Sequence, residues 1–95
     1  MKPKMNDEDL KKFSYVEVSD YRKRTVNVLK NGEVETPTRI AEESGIRRNH
    51  ISKVLGELKK AGIAECINEE YRKGRLYRLT NLGEEIAKNL EESDR

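Results

Sequence analysis

Apolar residues recur every three or four positions through the middle of this chain, and residues that start and end helices bracket each run. The first run follows Ser19, a good helix cap, and ends at Gly32, which suits a left-handed C-terminal residue. The second run begins with Thr36 as cap and Pro37 at the first helical position, where the missing N–H would be unpaired anyway. It ends at Gly45. The pattern therefore predicts two short helices in the first half of the chain.

Two further helices are predicted in the second half. The third begins near Arg47 or Arg48 and ends at Gly62. Its apolar residues form the i, i+3, i+4, i+7 stripe of a half-buried helix, and they are Ile51, Val54, Leu55 and Leu58. The last helix follows Thr80 or Asn81, and its apolar face consists of Leu82, Ile86 and Leu90.

The helical period breaks after Gly62. Residues 63–68 and 75–80 are short runs with Ile, Leu, Tyr and Thr, and the loop between them is polar and contains Gly74. This pattern predicts a β-hairpin with a long basic loop. Residues 33–35, between the first two helices, are long enough for one more strand of a small sheet.

The length of 95 residues fits one compact domain. We expect residues 1–12 to be disordered because they are mostly polar, residues 13–92 to form the domain, and residues 93–95 to be a tail. The apolar cluster within 13–18 is expected to be an extended arm that lies on the domain. With 34% hydrophobic and 40% charged residues, the core must be thin, which leaves no room for a second module.

Neither a membrane nor an oxidising compartment is indicated by the sequence. No run approaches the roughly 20 apolar residues that cross a bilayer, and the first residues do not resemble a signal peptide. Cys66 is the only cysteine, so no internal disulfide can form. We expect a cytoplasmic protein. Packing is the expected role of this thiol, with a redox-sensitive or cross-dimer thiol as the alternative.

Positive charge is concentrated in two places, although the net charge is only +2. Residues 47–62 hold five cations and one carboxylate, and the hairpin loop holds Arg72, Lys73 and Arg75 around Gly74. Arginine at a helix N-terminus opposes the helix dipole, at a cost of roughly 0.3–1 kcal/mol per charge. Such a cluster favours an anionic partner.

The spacing Ala41-x3-Gly45-x5-Ile51 is typical of a helix-turn-helix. The small residue lets two helices approach, glycine makes the turn, and the branched residue fixes the second helix on the first. Together with the element order, this predicts a mainly α fold with a small β-hairpin (α+β). The architecture is a winged helix-turn-helix, with a three-helix core, a wing and a C-terminal helix.

Three stretches resemble winged helix-turn-helix regulators of the MarR and ArsR type, especially the short archaeal ones: "TPTRIAEESGI" (36–46), "HISKVLGELKKAGI" (50–63) and "KGRLYRLTNLG" (73–83). The resemblance implies a recognition helix at about 48–61 and a wing tip at 69–75. It also implies transcription regulation through DNA. Metal-sensing ArsR members use paired thiols, and this sequence has no such pair, so metal sensing is not expected.

The candidate DNA-binding residues follow from charge, side-chain chemistry and placement. Arginine can read guanine and asparagine can read adenine in the major groove, while serine and lysine reach phosphates or bases. The recognition-helix candidates are Arg47, Arg48, Asn49, His50, Ser52 and Lys53. The wing candidates are Arg72, Lys73 and Arg75, which suit a backbone or a narrow minor groove. Thr36 and Thr38 are candidates for holding a phosphate at a helix N-terminus.

Each candidate set also has a simpler explanation. Charged runs are usually solvated faces. The carboxylates of Glu69 and Glu70 can neutralise the wing cations within the chain. For Arg22–Arg24, a run that simply faces solvent is the favoured interpretation. His50, the single histidine, has no further ligands at metal-binding spacing, so no metal is expected. No Ser-His-Asp set, phosphate loop or paired carboxylates in a pocket are visible. We therefore expect neither an enzyme nor a cofactor.

The function that the sequence favours is sequence-specific binding of double-stranded DNA by a transcription regulator. A homodimer is expected, through the arm at 13–18 or the stripe on the last helix, although the monomer's own core can use both surfaces. No small-molecule ligand is evident. Two alternatives stay open: a winged-helix protein-interaction module in a transcription or replication assembly, and non-specific architectural DNA binding.

Overall fold

The computed structural model describes residues 5–93, which form five helices with a two-stranded hairpin between the fourth and the fifth. This confirms the mainly α fold with a small β-hairpin. In chain order the elements are α1 (Asp7–Glu17), α2 (Asp20–Leu29), α3 (Pro37–Ser44), α4 (Arg48–Lys60), β1 (Ala64–Cys66), β2 (Tyr77–Leu79) and α5 (Asn81–Ser93).

The N-terminal segment is helical, where the sequence predicted a disordered segment followed by an extended arm. Asn6 caps α1 by accepting a hydrogen bond from the Asp9 N–H at 2.8 Å, and three acidic residues in the first turn complement the helix dipole. Val16 is fully buried and Phe13 packs against the core. An acidic, capped first turn and a few anchoring apolar side chains therefore order this segment. Residues 1–4 lie outside the described residues, as do 94–95, and Ser93 belongs to α5.

The predicted caps of the other helices are mostly in place. Ser19 and Thr36 accept hydrogen bonds from the N–H groups of Arg22 and Arg39, at 3.2 and 3.3 Å. Gly45 ends α3 with φ +75°, in the left-handed conformation that the helix-turn-helix spacing predicted. The chain therefore turns sharply between α3 and α4.

Thr80 caps α5 and joins it to the region where α4 ends. Its hydroxyl oxygen accepts a hydrogen bond from the Gly83 N–H at 3.2 Å, and its O–H donates one to the Gly62 carbonyl oxygen at 2.6 Å. Its backbone N–H donates to the Ile63 carbonyl oxygen at 3.0 Å. One residue thus connects the turn after α4, the start of β1 and the first turn of α5.

The core lies between α2, α3 and α4 and is closed by α1, α5 and the hairpin. The whole stripe of α4 is buried, at no more than 5% exposure for any of its four residues. Ile86 of α5 is also fully buried, and Leu82 and Leu90 pack against the core. The stripe on the last helix is therefore used by the monomer itself. Within residues 5–93, no helix has both the length and the apolar composition needed to cross a membrane.

The hairpin is shorter than the sequence suggested. Each strand has three residues, and Ala64, Glu65 and Cys66 pair antiparallel with Leu79, Arg78 and Tyr77. Glu35 adds an isolated bridge, since its N–H and carbonyl group both bond to Tyr77, at 3.1 and 2.9 Å. The predicted extended link at 33–35 therefore contributes one paired residue, which fixes the start of α3 beside the hairpin.

Gly83 is required where α5 crosses the start of the hairpin. A Cβ atom at this position would collide with the Ile63 carbonyl oxygen and lie 2.9 Å from the Leu79 Cβ. Both neighbours belong to a well-packed region, so relief needs a backbone shift.

We expect Gly83→Ala to lower the free energy of unfolding by roughly 1–3 kcal/mol, as overpacked sites do. Urea denaturation followed by circular dichroism measures this. Gly56→Ala is the matched control, because a Cβ at Gly56 meets nothing within 4 Å and alanine is the better helix former by roughly 1 kcal/mol. Equal stability of Gly83→Ala and the wild type would contradict the account.

Candidate nucleic-acid interface

The exposed face of α4 carries the predicted recognition residues. Because the apolar stripe is buried, the opposite face must point to solvent, and all six candidates from Arg47 to Lys53 are exposed. At 3.6 residues per turn, Asn49 and Lys53 lie nearly opposite the stripe. Arg48 and Ser52 flank them on one side and His50 on the other.

The N-terminus of α4 lacks a side-chain cap. Arg47 occupies the N-cap position without making a capping hydrogen bond, and the first turn contains no acidic residue. By contrast, α1, α2 and α3 begin with Asn6, Ser19 and Thr36 as side-chain caps. The positive end of the α4 dipole therefore coincides with two arginines, so an anion in front of it would be stabilised by both.

A cleft of about 700 Å³ lies between the start of α3, the face of α4 and the hairpin loop. Predicted residues from all three elements line it, namely Thr36, Thr38, Arg48, Ser52, Arg72, Lys73 and Arg75. The structure thus brings the three separately predicted groups together on one surface. The Thr36 hydroxyl oxygen already accepts the capping hydrogen bond of α3, and its O–H proton can still be donated to an anion in the cleft.

His50 and Lys53 lie on the other flank of α4, beside the start of α2. The His50 ring is 5.6 Å, centroid to centroid, from the ring of Tyr21, which is 36% exposed. The sequence analysis did not single out Tyr21, because helical spacing does not distinguish a core residue from one at the edge of an exposed face.

Arg75 is placed differently from the other wing cations. Its guanidinium group donates to the Tyr71 carbonyl oxygen at 2.6 Å and to the Glu69 carbonyl oxygen at 3.3 Å, so it holds the loop together from within. Arg72 and Lys73 are exposed and form no ion pair with the described part of the chain. The wing therefore presents two cations available to a partner, next to a third that braces it.

Asn68 is a second brace, which the sequence analysis did not single out. Its side-chain oxygen accepts a hydrogen bond from the Leu76 N–H at 2.8 Å, and its nitrogen donates to the Gly74 carbonyl oxygen at 3.1 Å. Cys66 Sγ lies 3.5 Å from the same side-chain oxygen. Asparagine just after a strand is a turn-forming signal, but the sequence does not show which backbone groups it binds.

Glu69 forms its ion pair with α4 and not with Arg72 or Lys73. Its carboxylate pairs with Lys59 of α4 at 2.9 Å. The hydrogen bond and the charge of Lys59 lower the pKa of Glu69, and the same hydrogen bond raises the pKa of Lys59. The contribution of this exposed pair to the free energy of unfolding is present at neutral pH. It is lost in acid, as the pH falls through the lowered pKa of Glu69. At neutral pH the pair links the wing to α4 and leaves Arg72 and Lys73 unneutralised by Glu69.

The basic segment at the start of α2 serves the fold, and Arg22–Arg24 are partly buried where a solvent-facing run was expected. Arg22 pairs with Glu57 at 3.3 Å and donates to the Tyr15 carbonyl oxygen at 2.8 Å. Arg24 pairs with Asp20 at 2.7 Å and donates to the Ser44 carbonyl oxygen at 2.9 Å. These two arginines therefore hold α2 to α1, α4 and the end of α3.

Cys66 is buried beside the wing, at 9% exposure. Residues 5–93 contain no group of three His, Cys, Asp or Glu side chains that is able to hold a metal ion. The chemistry on this surface is therefore that of cations, amides and hydroxyls, the groups that bind phosphates and base edges.

Comparison with known families decides the class of protein. Residues 13–82 match the family described as "Sugar-specific transcriptional regulator TrmB", which is well over half of the chain. The chain belongs to the TrmB family. Members of this family are described as transcription regulators and not as enzymes, as the sequence analysis indicated, and the TrmB match includes α2, α3, α4 and the hairpin.

Several solved structures are similar in fold to this TrmB-family chain. TubR of Bacillus thuringiensis serovar israelensis, solved with 24 bp of tubC, has a TM-score of 0.77 at 15% identity over 96% of this chain and 98% of its own. The MarR family regulator SPO1453 of Silicibacter pomeroyi has a TM-score of 0.71 at 16% identity over 94% of this chain and 65% of its own. At such identities the likeness shows the fold, which confirms the winged helix.

The NadR structure with 4-hydroxyphenylacetate gives a TM-score of 0.70 at 20% identity, over 88% of this chain and 63% of its own. The TrmB-family chain thus spans less than two thirds of the NadR and SPO1453 chains. No curated protein is significantly similar to it in sequence.

We expect Asn68→Ala to loosen the wing without unfolding the domain. The variant cannot form the two hydrogen bonds, each with a net contribution of roughly 1 kcal/mol, so the loop should open at least roughly tenfold more often. Limited trypsin digestion with mass spectrometry should show faster cleavage after Arg72 and Lys73.

Asn89→Ala is the matched control, because Asn89 also donates its amide to a backbone carbonyl, that of Glu85 at 2.8 Å on α5. It should leave the rate of wing cleavage unchanged. If Asn68→Ala is cut in the wing no faster than the wild type, Asn68 does not brace the loop.

Proposed function

We propose that this chain regulates transcription by binding duplex DNA sequence-specifically, with α4 in the major groove and the wing on the adjacent backbone or minor groove. The observation that carries the proposal is a set of exposed cations on one surface that have no ion-pair partner in residues 5–93. They are Arg47, Arg48, Lys53, Arg72 and Lys73.

The clustering of these five cations strengthens this argument, because other cations without an ion-pair partner in residues 5–93, such as Lys11 and Lys88, lie apart on α1 and α5. Ion pairs within the chain are made by Arg22, Arg24, Lys30, Arg39, Lys59 and Arg78. The chain is 40% charged, so carboxylates are plentiful. The cations on this surface, which spans three elements, nevertheless have no carboxylate partner among the described residues. Such a surface suits a polyanion. By neutralising phosphates, these cations would release the counterions condensed on the duplex.

The individual roles follow from side-chain chemistry and from position on α4. Arg48 and Asn49, in the first turn, are the proposed base readers, since arginine bonds guanine and asparagine bonds adenine with two hydrogen bonds each. Ser52 and Lys53 extend the contact by one turn. Thr38 is proposed to hold a phosphate through its hydroxyl and its backbone N–H, since Pro37 has no N–H and the Arg39 N–H is bonded to Thr36.

The titration that tests this uses labelled genomic duplex fragments at two salt concentrations. We expect Arg48→Ala/Lys53→Ala to bind at least about tenfold more weakly at the lower salt, because a base contact contributes roughly 1–3 kcal/mol. The slope of log K against log salt should fall by about one for each phosphate that the variant no longer binds. The double variant should be at least as stable as the wild type, since removing Arg48 removes an unfavourable positive charge from the N-terminus of α4.

Lys11→Ala/Lys88→Ala is the charge-matched control, with both lysines exposed on α1 and α5. It removes the same charge away from the cleft and should leave affinity nearly unchanged. Equal weakening of both double variants, with no preference among fragments, would favour non-specific architectural binding. No binding of the wild type to any duplex at low salt would overturn the proposal in favour of a protein partner.

We also propose that two copies act together on neighbouring half-sites, about 34–36 Å apart along the duplex. Leu10 and Val18, in and just after α1, are 48% and 79% exposed, and they are the apolar side chains of the N-terminal segment left for a second copy. Light scattering should give twice the 11.0 kDa chain mass for the wild type and a single chain mass for Leu10→Glu/Val18→Glu. A wild type that stays monomeric at all concentrations would contradict this arrangement.

A further inference from the structure

Gly56 has no structural reason to be glycine. It lies inside α4, is exposed, and has no positive φ, unlike the four turn glycines of the described residues. A Cβ built on it meets nothing within 4 Å. An alanine therefore fits the isolated fold at this position without any neighbour having to move.

Glycine is nonetheless costly here. In a helix interior it is less favourable than alanine by roughly 1 kcal/mol, because it loses more backbone freedom on folding. That cost falls on the helix that supplies four buried core residues. Nothing among the described residues offsets this cost, so a binding partner is the place to look for a constraint on position 56.

The position of Gly56 on α4 points to the proposed DNA surface. At 3.6 residues per turn it lies one turn beyond Ser52 and less than one turn beyond Lys53, on the half of the helix that faces away from the core. A helix with its side chains is roughly 10–12 Å wide and the major groove roughly 12 Å. A helix deep in the groove therefore has almost no clearance, and a missing Cβ permits closer approach.

We propose that Gly56 is the point of closest approach between α4 and the duplex, and that its missing side chain determines specificity by letting base edges reach the helix backbone. This inference rests on the proposed function and assigns a role to a residue that carries no binding group. A side chain at position 56 pushes α4 outward, which lengthens the contacts that Asn49 and Ser52 make with bases.

Gly56→Ala and Gly56→Leu test the inference through two opposed readouts. Gly56→Ala should raise the midpoint of thermal unfolding, yet bind the preferred fragment about tenfold more weakly, equivalent to losing roughly one good base contact. Gly56→Leu should bind more weakly still. Binding to random duplex should change much less, because phosphate contacts tolerate a small outward shift.

Asn27→Ala is the matched control, an exposed helical residue on α2 that lines a groove with α5 and not the α4 cleft. It also improves helix propensity, so it should raise stability without changing affinity. A more stable Gly56→Ala that binds the preferred fragment as tightly as the wild type would overturn the inference alone. A wild type that binds no duplex would overturn the proposed function and the inference together.

Discussion

The burial of four side chains on α4 is the constraint on which the rest of this structure depends. Ile51, Val54, Leu55 and Leu58 are all nearly inaccessible, and this one helix supplies four of the fifteen buried residues of the core cluster within residues 5–93. Their burial fixes the rotation of α4 about its own axis. That rotation in turn decides which polar residues face the cleft, so the same four residues stabilise the fold and orient the proposed reading surface.

A second feature is the division of charged residues between two tasks. Arginines near the N-terminus of α2 bind carbonyl oxygens and carboxylates across α1, α3 and α4, so they act as long-reach connectors for a small core. The arginines at the start of α4 form no ion pair of this kind within residues 5–93. An arginine can therefore be a structural residue or a binding residue, and its bonding partners distinguish the two where net charge does not.

Much of the fold was predictable because its signals are periodic or local. The stripe on α4, the caps Ser19 and Thr36, and the left-handed Gly45 all follow from residue type and spacing. The helix α1 was not predicted, because it has too few apolar residues to show a helical period in a mostly polar segment. The bracing roles of Asn68 and Arg75 were not predicted. Hydrogen bonds from side chains to loop carbonyls leave no periodic pattern in the sequence, and a basic residue in a loop, such as Arg75, looks like a binding residue.

Thr80 has a mechanical consequence. Through one hydroxyl and one N–H it joins the turn after α4 to the strand β1 and to the first turn of α5, and Gly83 keeps these segments too close for a side chain between them. The direction of α5 is therefore set by the end of α4, because the hydrogen bonds and the close backbone contact leave no room for the two segments to shift independently.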